Sequence, residues 1–371
     1  MDYPIRVGIT HGDINGVGYE VIFKAIGEEE ITELFTPVIF GVSNIAQKAK
    51  EKFELQNLRL NITEELTGIK DGMVNLVELK GNAPELHPGQ IDKAAGKSAV
   101  AALEVAVDAL KKGEIDVLVT APISKEAVQS ESFKFPGHTE FLSDRIGEGK
   151  EAMMILCNDS LRVALLTVHV PVTKIADNIT EDKIVDAVEK FAATLKKDFG
   201  IVRPSVAVLS LNPHAGDGGL LGKEEEEIIK PALNRLVQNG ILAFGPFPAD
   251  GFFGHGSYKK FDGILAMYHD QGLAPFKTIA SSGGVNFSAG LPFVRTSPDH
   301  GTAFDIAWKG EADPASMRDA IYMAIDIFRR RKAFEEASAN PLKKYVHERP
   351  ERSERHDKVQ QKNELNTETD D

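Results

Sequence analysis

Residues 94–120 read AAGKSAVAALEVAVDALKKGEIDVLVT and hold a complete helix-to-strand unit. Val100, Leu103, Val107 and Leu110 recur at steps of three and four. One face of a helix over Ala94–Lys112 is therefore apolar, while Glu104 and Asp108 fall off it. Gly113 stands where such a helix closes. Val117–Thr120 is then a brief apolar run, as expected for a strand buried on both faces. The same alternation extends along the chain. Ile5–Thr10, Val38–Gly41, Arg162–Val168, Ser205–Leu211 and Gly263–Met267 read as strands. Glu20–Ile26, Glu181–Lys197 and Glu224–Asn239 read as helices, the last with a kink or break at Pro231. Strands alternating with helices predict an α/β fold built on a mainly parallel sheet.

Composition narrows the function classes. The chain has 371 residues, enough for two or three domains. Its net charge of −13 argues against general nucleic-acid binding and against an anionic membrane surface. No apolar run approaches the ~20 residues of a membrane span, and Met1–Arg6 has no long apolar core of a signal peptide. The expectation is a soluble cytoplasmic protein. One cysteine, Cys157, excludes an intrachain disulfide and a multi-thiolate zinc site. Within Met153–Cys157 it reads as a buried small hydrophobe. Residues 340–371 differ in kind, with seven Lys/Arg and eight Asp/Glu, and after Pro350 only Val359 and Leu365 as large apolar residues. They are expected to form a charged, disordered tail.

The chemistry-bearing residues collect after the strands. His169, His214 and His269 each follow a strand candidate, and ligands of open α/β sheets bind beyond the carboxyl ends of strands. The three imidazoles either converge on a divalent metal or are separate hydrogen-bonded loop histidines. Lys277, Asn286 and Arg295 lie among apolar and glycine-rich residues. They either grip an anion such as phosphate or carboxylate, or pair locally. The glycines of Gly8–Gly18 either bring backbone N–H groups to an anion at a helix start or simply allow a tight turn, and their spacing fits neither a dinucleotide fingerprint nor a P-loop. His138 and Thr139 orient a substrate or cap a helix starting near Glu140. Asp250 and Lys277 are candidate proton acceptors, with Asp250 equally placed for a turn or N-cap.

Six motifs occur in order: Gly8–Gly18, Val119–Lys125, Pro136–Leu142, Leu211–Gly219, Tyr268–Lys277 and Gly290–Ala303. Together, over about residues 5–330, they closely resemble the 4-hydroxythreonine-4-phosphate dehydrogenase family, the PdxA family of vitamin B6 synthesis. The resemblance implies a two-domain α/β/α fold like that of isocitrate and isopropylmalate dehydrogenases, with the active site in the interdomain cleft. It divides the chain into a cofactor-side domain at about 1–130 plus 285–339 and a metal, substrate and dimerisation domain at about 131–284. It implies oxidation of 4-phosphooxy-L-threonine at C3 by NAD or NADP, followed by decarboxylation to 3-amino-2-oxopropyl phosphate. It further implies one divalent metal (Zn, Mg or Co) per site and a homodimer with shared active sites. By motif position the metal ligands fall on His169, His214 and His269, and the substrate contacts on His138, Thr139, Lys277, Asn286 and Arg295. Pro298–Ala307 looks like an adenosine-binding loop, which puts His300 and Asp305 near the cofactor. His11 stands where the family more often has Met, and Ile14-Asn15 replaces a common Pro-Ala. The alternatives are a dehydrogenase of D-threonate or D-erythronate 4-phosphate and, from another class, a non-catalytic binder of a phosphorylated metabolite.

Overall fold

Apolar runs that have helices on both sides collect into one sheet, and the polar runs between them stay at its borders. The computed structural model describes residues 4–28, 30–81, 83–130, 133–280 and 283–341. The strands are β1 (Arg6–Thr10), β2 (Thr36–Gly41), β3 (Leu60–Thr63), β4 (Val74–Glu78), β5 (Val117–Thr120), β6 (Met153–Cys157), β7 (Arg162–Leu165), β8 (Ser205–Leu209), β9 (Leu242–Phe247), β10 (Gly263–Ala266), β11 (Val285–Ala289) and β12 (Val294–Pro298). They form a twelve-stranded sheet in the order β3-β4-β2-β1-β5-β12-β11-β6-β7-β10-β8-β9. The α/β class with a mainly parallel sheet is thus borne out. Two parallel blocks, β3 through β12 and β7 through β9, are joined by antiparallel pairings of β11 with β12 and with β6, and of β6 with β7. Three reversals make the two blocks point opposite ways.

Local sequence explains the best-read elements. The helix Lys93–Lys112 opens on Asp92, which accepts the N–H of Ala94 at 2.6 Å, and closes on Gly113 at φ 70°. The helix Glu181–Lys197 is capped by Thr180. The single helix expected over Glu224–Asn239 is divided. A π-helical turn, Glu225–Ile229, runs into the α-helix Lys230–Gln238. Pro231 cannot donate a backbone N–H and its ring crowds the preceding turn, which widens it. β3, β4, β6, β9, β11 and β12 are additional to the strands expected from sequence.

The centre of the sheet has two unlike faces. Asn286 lies opposite both Ser297 and Leu156, and Ser288 lies opposite Met154. With Arg295 two residues before Ser297, these side chains share one face, in the alternation of a pleated strand. On the other face, Thr296 donates to the carbonyl of Ala320 at 2.7 Å and the Cys157 thiol contacts Met323, so the helix Ala315–Ser338 covers it. Cys157 is buried, as expected, and burial pushes its thiol up to about 12. On the first face a smaller apolar core joins Leu156, Val163, Leu165, Leu209 and Ala266 to Leu273 and Phe276 of the helix His269–Ile279.

The described residues up to Phe334 form one compact unit. From residue 342 on, the expected tail at 340–371 lies outside the described residues. Among the described residues no helix is long and apolar enough to cross a membrane.

Arg331 tethers the covering helix. It forms a two-bonded pair with Asp198 (2.7 and 3.0 Å) and donates to the carbonyls of Leu291 and Pro292. Both partners are buried. Replacing Asp198→Ala leaves the guanidinium without its counter-charge, and we expect a loss of ~3–5 kcal/mol of stability. In urea titration the midpoint should fall with an unchanged slope. A midpoint equal to the parent's would show that the pair contributes nothing.

Candidate active site

The uncovered part of the polar face floors a cavity of about 890 Å³, at the upper end of the range for ligand pockets. Thr120, Arg295, Ser297, Asn286, Met154 and Leu156 rise from β5, β12, β11 and β6. The walls come from the starts of two helices, His138–Ile146 and His269–Ile279, and from the loop after β12. Of the residues singled out in the sequence, His138, Thr139, His169, His269, Lys277, Asn286, Arg295 and His300 line this cavity. His214 and Asp250 line a neighbouring cavity of about 560 Å³ with Tyr268 and Gln271. Asp270 borders both. Asp305 lies exposed on the loop after His300 and lines neither cavity. His138 and Thr139 form the first turn of their helix, with Gly137 as the N-cap residue. Asp250 likewise lies in the first turn of the helix Ala249–Gly254, after Pro248.

Arg295 dominates the electrostatics. It is 2% exposed, and its guanidinium donates to Thr120 Oγ1 at 3.1 and 2.5 Å and to Ser288 Oγ at 3.0 Å. Among the described residues no carboxylate is within ion-pair distance of it. Burial pulls its pKa down to about 9, against the opposing charge of Glu140. His138 is held well below the ordinary imidazole range, first by burial and then by the positive charge of Arg295, so it is neutral at physiological pH. His138 Nε2, Asn286 Oδ1 and His300 Nε2 are buried without a hydrogen-bond partner. Such groups are rare and call for a ligand or an ordered water. Lys277 donates to the carbonyl of Asp299 at 3.2 Å and so ties its helix to the loop that bears His300.

Two of the strand-end histidines have carboxylates beside Nδ1. Glu140 Oε1 is 3.5 Å from His169 Nδ1, and Asp270 Oδ1 is 2.7 Å from His269 Nδ1. That arrangement leaves Nε2 of each ring for another partner. The imidazoles of His169, His214 and His269 are a suitable donor set for a divalent cation. One chain does not gather them, however. Among the described residues no three His, Cys, Asp or Glu side chains are close enough to hold a metal. Glu140 and Asp270 were missed in the sequence. Their signal was adjacency, Asp270 beside His269 and Glu140 two residues after His138, but adjacency alone does not fix side-chain direction.

The glycine-rich first turn is a packed structural turn. The N–H groups of Asp13 and Val17 go to the carbonyls of Pro122 and Thr302. A Cβ on Gly12 or Gly16 would come within 2.4 and 2.7 Å of those same oxygens. His11 stacks on Tyr19, at 5.5 Å between ring centroids, and bonds Ser98 Oγ at 3.3 Å. Asn15 accepts from His87 N and donates to Gln90 O, which pins that loop. The two departures from the common family pattern therefore have local structural uses.

A family model described as "Pyridoxal phosphate biosynthetic protein PdxA" matches residues 33–324. A Bacteroides thetaiotaomicron protein named 4-hydroxythreonine-4-phosphate dehydrogenase is 50% identical, with 95% of this chain and 96% of that protein covered. A Pectobacterium atrosepticum protein named D-threonate 4-phosphate dehydrogenase is 34% identical over 86% of this chain and 98% of its own length. The crystal structure of 4-hydroxythreonine-4-phosphate dehydrogenase from Klebsiella pneumoniae superposes with a TM-score of 0.74 at 32% identity, covering 88% of this chain and 98% of that one.

Buried His11 gives a pH signature. An unfolded imidazole takes up its proton near pH 6.5, whereas burial pulls His11 down to about 4. Between these values the unfolded chain binds the extra proton, so stability rises with pH and is lost as pH falls through the window. The slope approaches ~1.4 kcal/mol per pH unit for this one group. His138, lowered for the same reason, adds to it. In urea titrations between pH 4.5 and 7, His11→Met should flatten the slope. An unchanged slope would mean that His11 titrates normally.

Proposed function

The chain belongs to the PdxA family of pyridoxal phosphate biosynthetic proteins, and from that premise we propose how it acts as a dehydrogenase of 4-hydroxythreonine 4-phosphate (4-phosphooxy-L-threonine). The observation that carries the site assignment is the buried guanidinium of Arg295, which has no carboxylate partner among the described residues and lies in a cavity with unpartnered His138 Nε2 and Asn286 Oδ1. The substrate offers complementary groups: a phosphate, a carboxylate, an amino group and a C3 hydroxyl. Arg295 receives an anionic group, Asn286 Oδ1 accepts a hydrogen bond from a donor, and neutral His138 and Thr139 fix orientation. Lys277 lines the same cavity and takes the C3 hydroxyl proton as hydride leaves. Asp250, in the neighbouring cavity, is the other candidate. Oxidation gives 2-amino-3-oxo-4-phosphooxybutanoate, a β-keto acid. Loss of CO2 then yields 3-amino-2-oxopropyl phosphate.

The nicotinamide dinucleotide, NAD or NADP, supplies the hydride acceptor, and a divalent cation such as Zn, Mg or Co supplies Lewis-acid polarisation of a substrate oxygen. His169, His214 and His269 would hold the cation, with a second copy of the chain completing the set. This assignment makes the working form a homodimer. His300, with its buried free Nε2, and Asp305 on the same loop would meet the adenosine. The cofactor-side ranges, about 1–130 and 285–339, supply Thr120 and Arg295 to the cavity, and 131–284 supplies His138, His169 and His269. Closure of these ranges over the ligands would exclude water. Family membership supports a cytoplasmic location.

The named relatives set the competing substrate, D-threonate 4-phosphate. The test offers both acids in parallel, follows NADH or NADPH and CO2, and repeats each assay with a chelator. We expect the higher kcat/KM with 4-hydroxythreonine 4-phosphate, with CO2 release and loss of turnover in chelator. A higher kcat/KM with the threonate would reassign the substrate. Arg295→Ala should raise KM by about 30-fold or more, as befits loss of a buried charged contact. Unchanged KM and kcat would remove Arg295 from the site.

A further inference from the structure

Pro213–Gly219 carries His214 on unusual backbone. His214, Ala215, Gly216, Asp217 and Gly218 all have positive φ, between 44° and 78°, so the chain turns left-handed through consecutive residues. L-residues such as His214, Ala215 and Asp217 do not hold this conformation unless their surroundings impose it. Glu225 lies against it, beside the backbone bonds of Leu220 and Leu221 to Asp217 and Gly216. Its side chain is fully buried. Oε1 accepts the N–H groups of Leu211 and Asn212, both at 2.8 Å, and Oε2 accepts Asn212 Nδ2 at 2.9 Å, an amide that also donates to Glu224 Oε2 at 2.7 Å. The same carboxylate lies against Gly216, where a Cβ would come within 2.7 Å of Oε2. Among the described residues no cation pairs with it. The carboxylate therefore fixes both the entrance to the turn and its middle, and its own burial is tolerable only while those donors stay in place.

We propose that Glu225 is the positioning residue for His214. By clamping Leu211, Asn212 and Gly216 it presents the imidazole at the smaller cavity in one orientation, ready to bind a metal. The proposal rests on the reading of His214 as a metal ligand. Sequence separation and burial hide the connection, because Glu225 touches neither cavity.

The test titrates the full-length protein with Co2+ alone, by equilibrium dialysis and visible absorption, in the parent, His214→Ala, Glu225→Gln and Glu225→Asp. Glutamine keeps the shape but turns an NH2 group toward N–H donors. Glu225→Gln should weaken Co2+ binding by about 10–100-fold, and Glu225→Asp, which keeps the charge, should recover part of the loss. KM for the nicotinamide cofactor should not change. A purely structural role would lower the urea midpoint and leave Co2+ affinity alone. If Glu225→Gln does not fold, Asn212→Ala removes the Oε2 contact together with the Asn212 bond to Glu224 Oε2, and it should weaken Co2+ binding by a smaller factor than the loss of Glu225 but by more than Glu224→Gln does. Parent-like Co2+ affinity in the folded Glu225 variant, or in Asn212→Ala where that one stands in, overturns the proposal when His214→Ala has lost Co2+. Parent-like affinity in His214→Ala instead overturns the metal-ligand reading, and the positioning role with it.

Discussion

A guanidinium buried in the middle of a sheet constrains everything around it. Arg295 extends from β12, and among the described residues its hydrogen-bond acceptors are the hydroxyls of Thr120 and Ser288. Isolated buried charge is among the most costly states a protein interior can hold. Polar side chains on the neighbouring strands offset part of that cost, among apolar Leu118, Met154 and Leu156 on the same face. Thr120, Asn286, Ser288 and Ser297 share the face of Arg295, while the reverse face of the same strands is sealed by the helix Ala315–Ser338. The cavity is the space that remains. It suits an anionic ligand even though the chain carries −13 overall, because charge placement at short range in low dielectric outweighs the screened field of distant surface charges.

The same constraint decides what could be read from the sequence. β5 and the helix before it were legible because burial on one or both faces leaves a regular period. β11 and β12 were not, because VNFSA and VRTSP mix polar and apolar residues as any loop does. Only the neighbours reveal that the polar set faces a cavity. His169 and His269 were legible as site residues because each follows a parallel strand. The inference that all strand-end histidines meet at one point assumed that the ligand sits beyond the strand ends. Here the main cavity lies on the face of the antiparallel centre, and His214 is carried to a separate opening by a left-handed turn. The fate of the first glycine-rich turn was equally invisible. Its N–H groups are taken by Pro122 and Thr302, which lie more than a hundred residues away in sequence.

Buried charge also separates architecture from chemistry in this molecule. Arg331 has Asp198, an ion pair that ties one segment to another, and Glu20 has Lys24 one turn further along the same helix. Asp13 escapes the problem in part, since burial pushes it up to about 6, toward the neutral acid. Arg295 and Glu225 have no ionic partner among the described residues. Arg295 faces a cavity and its deficit is met from outside, by a ligand. Glu225 faces a turn and its deficit is met from inside, by three N–H donors that no longer have a choice of conformation. Left-handed backbone at His214, Ala215 and Asp217 costs ~1–2 kcal/mol per residue, a sum comparable with much of the net stability of a domain, ~5–15 kcal/mol. Strain of that size survives only when a stronger local requirement maintains it. A buried carboxylate that must keep its donors is such a requirement, so the charge and the strain hold each other in place, with His214 between them.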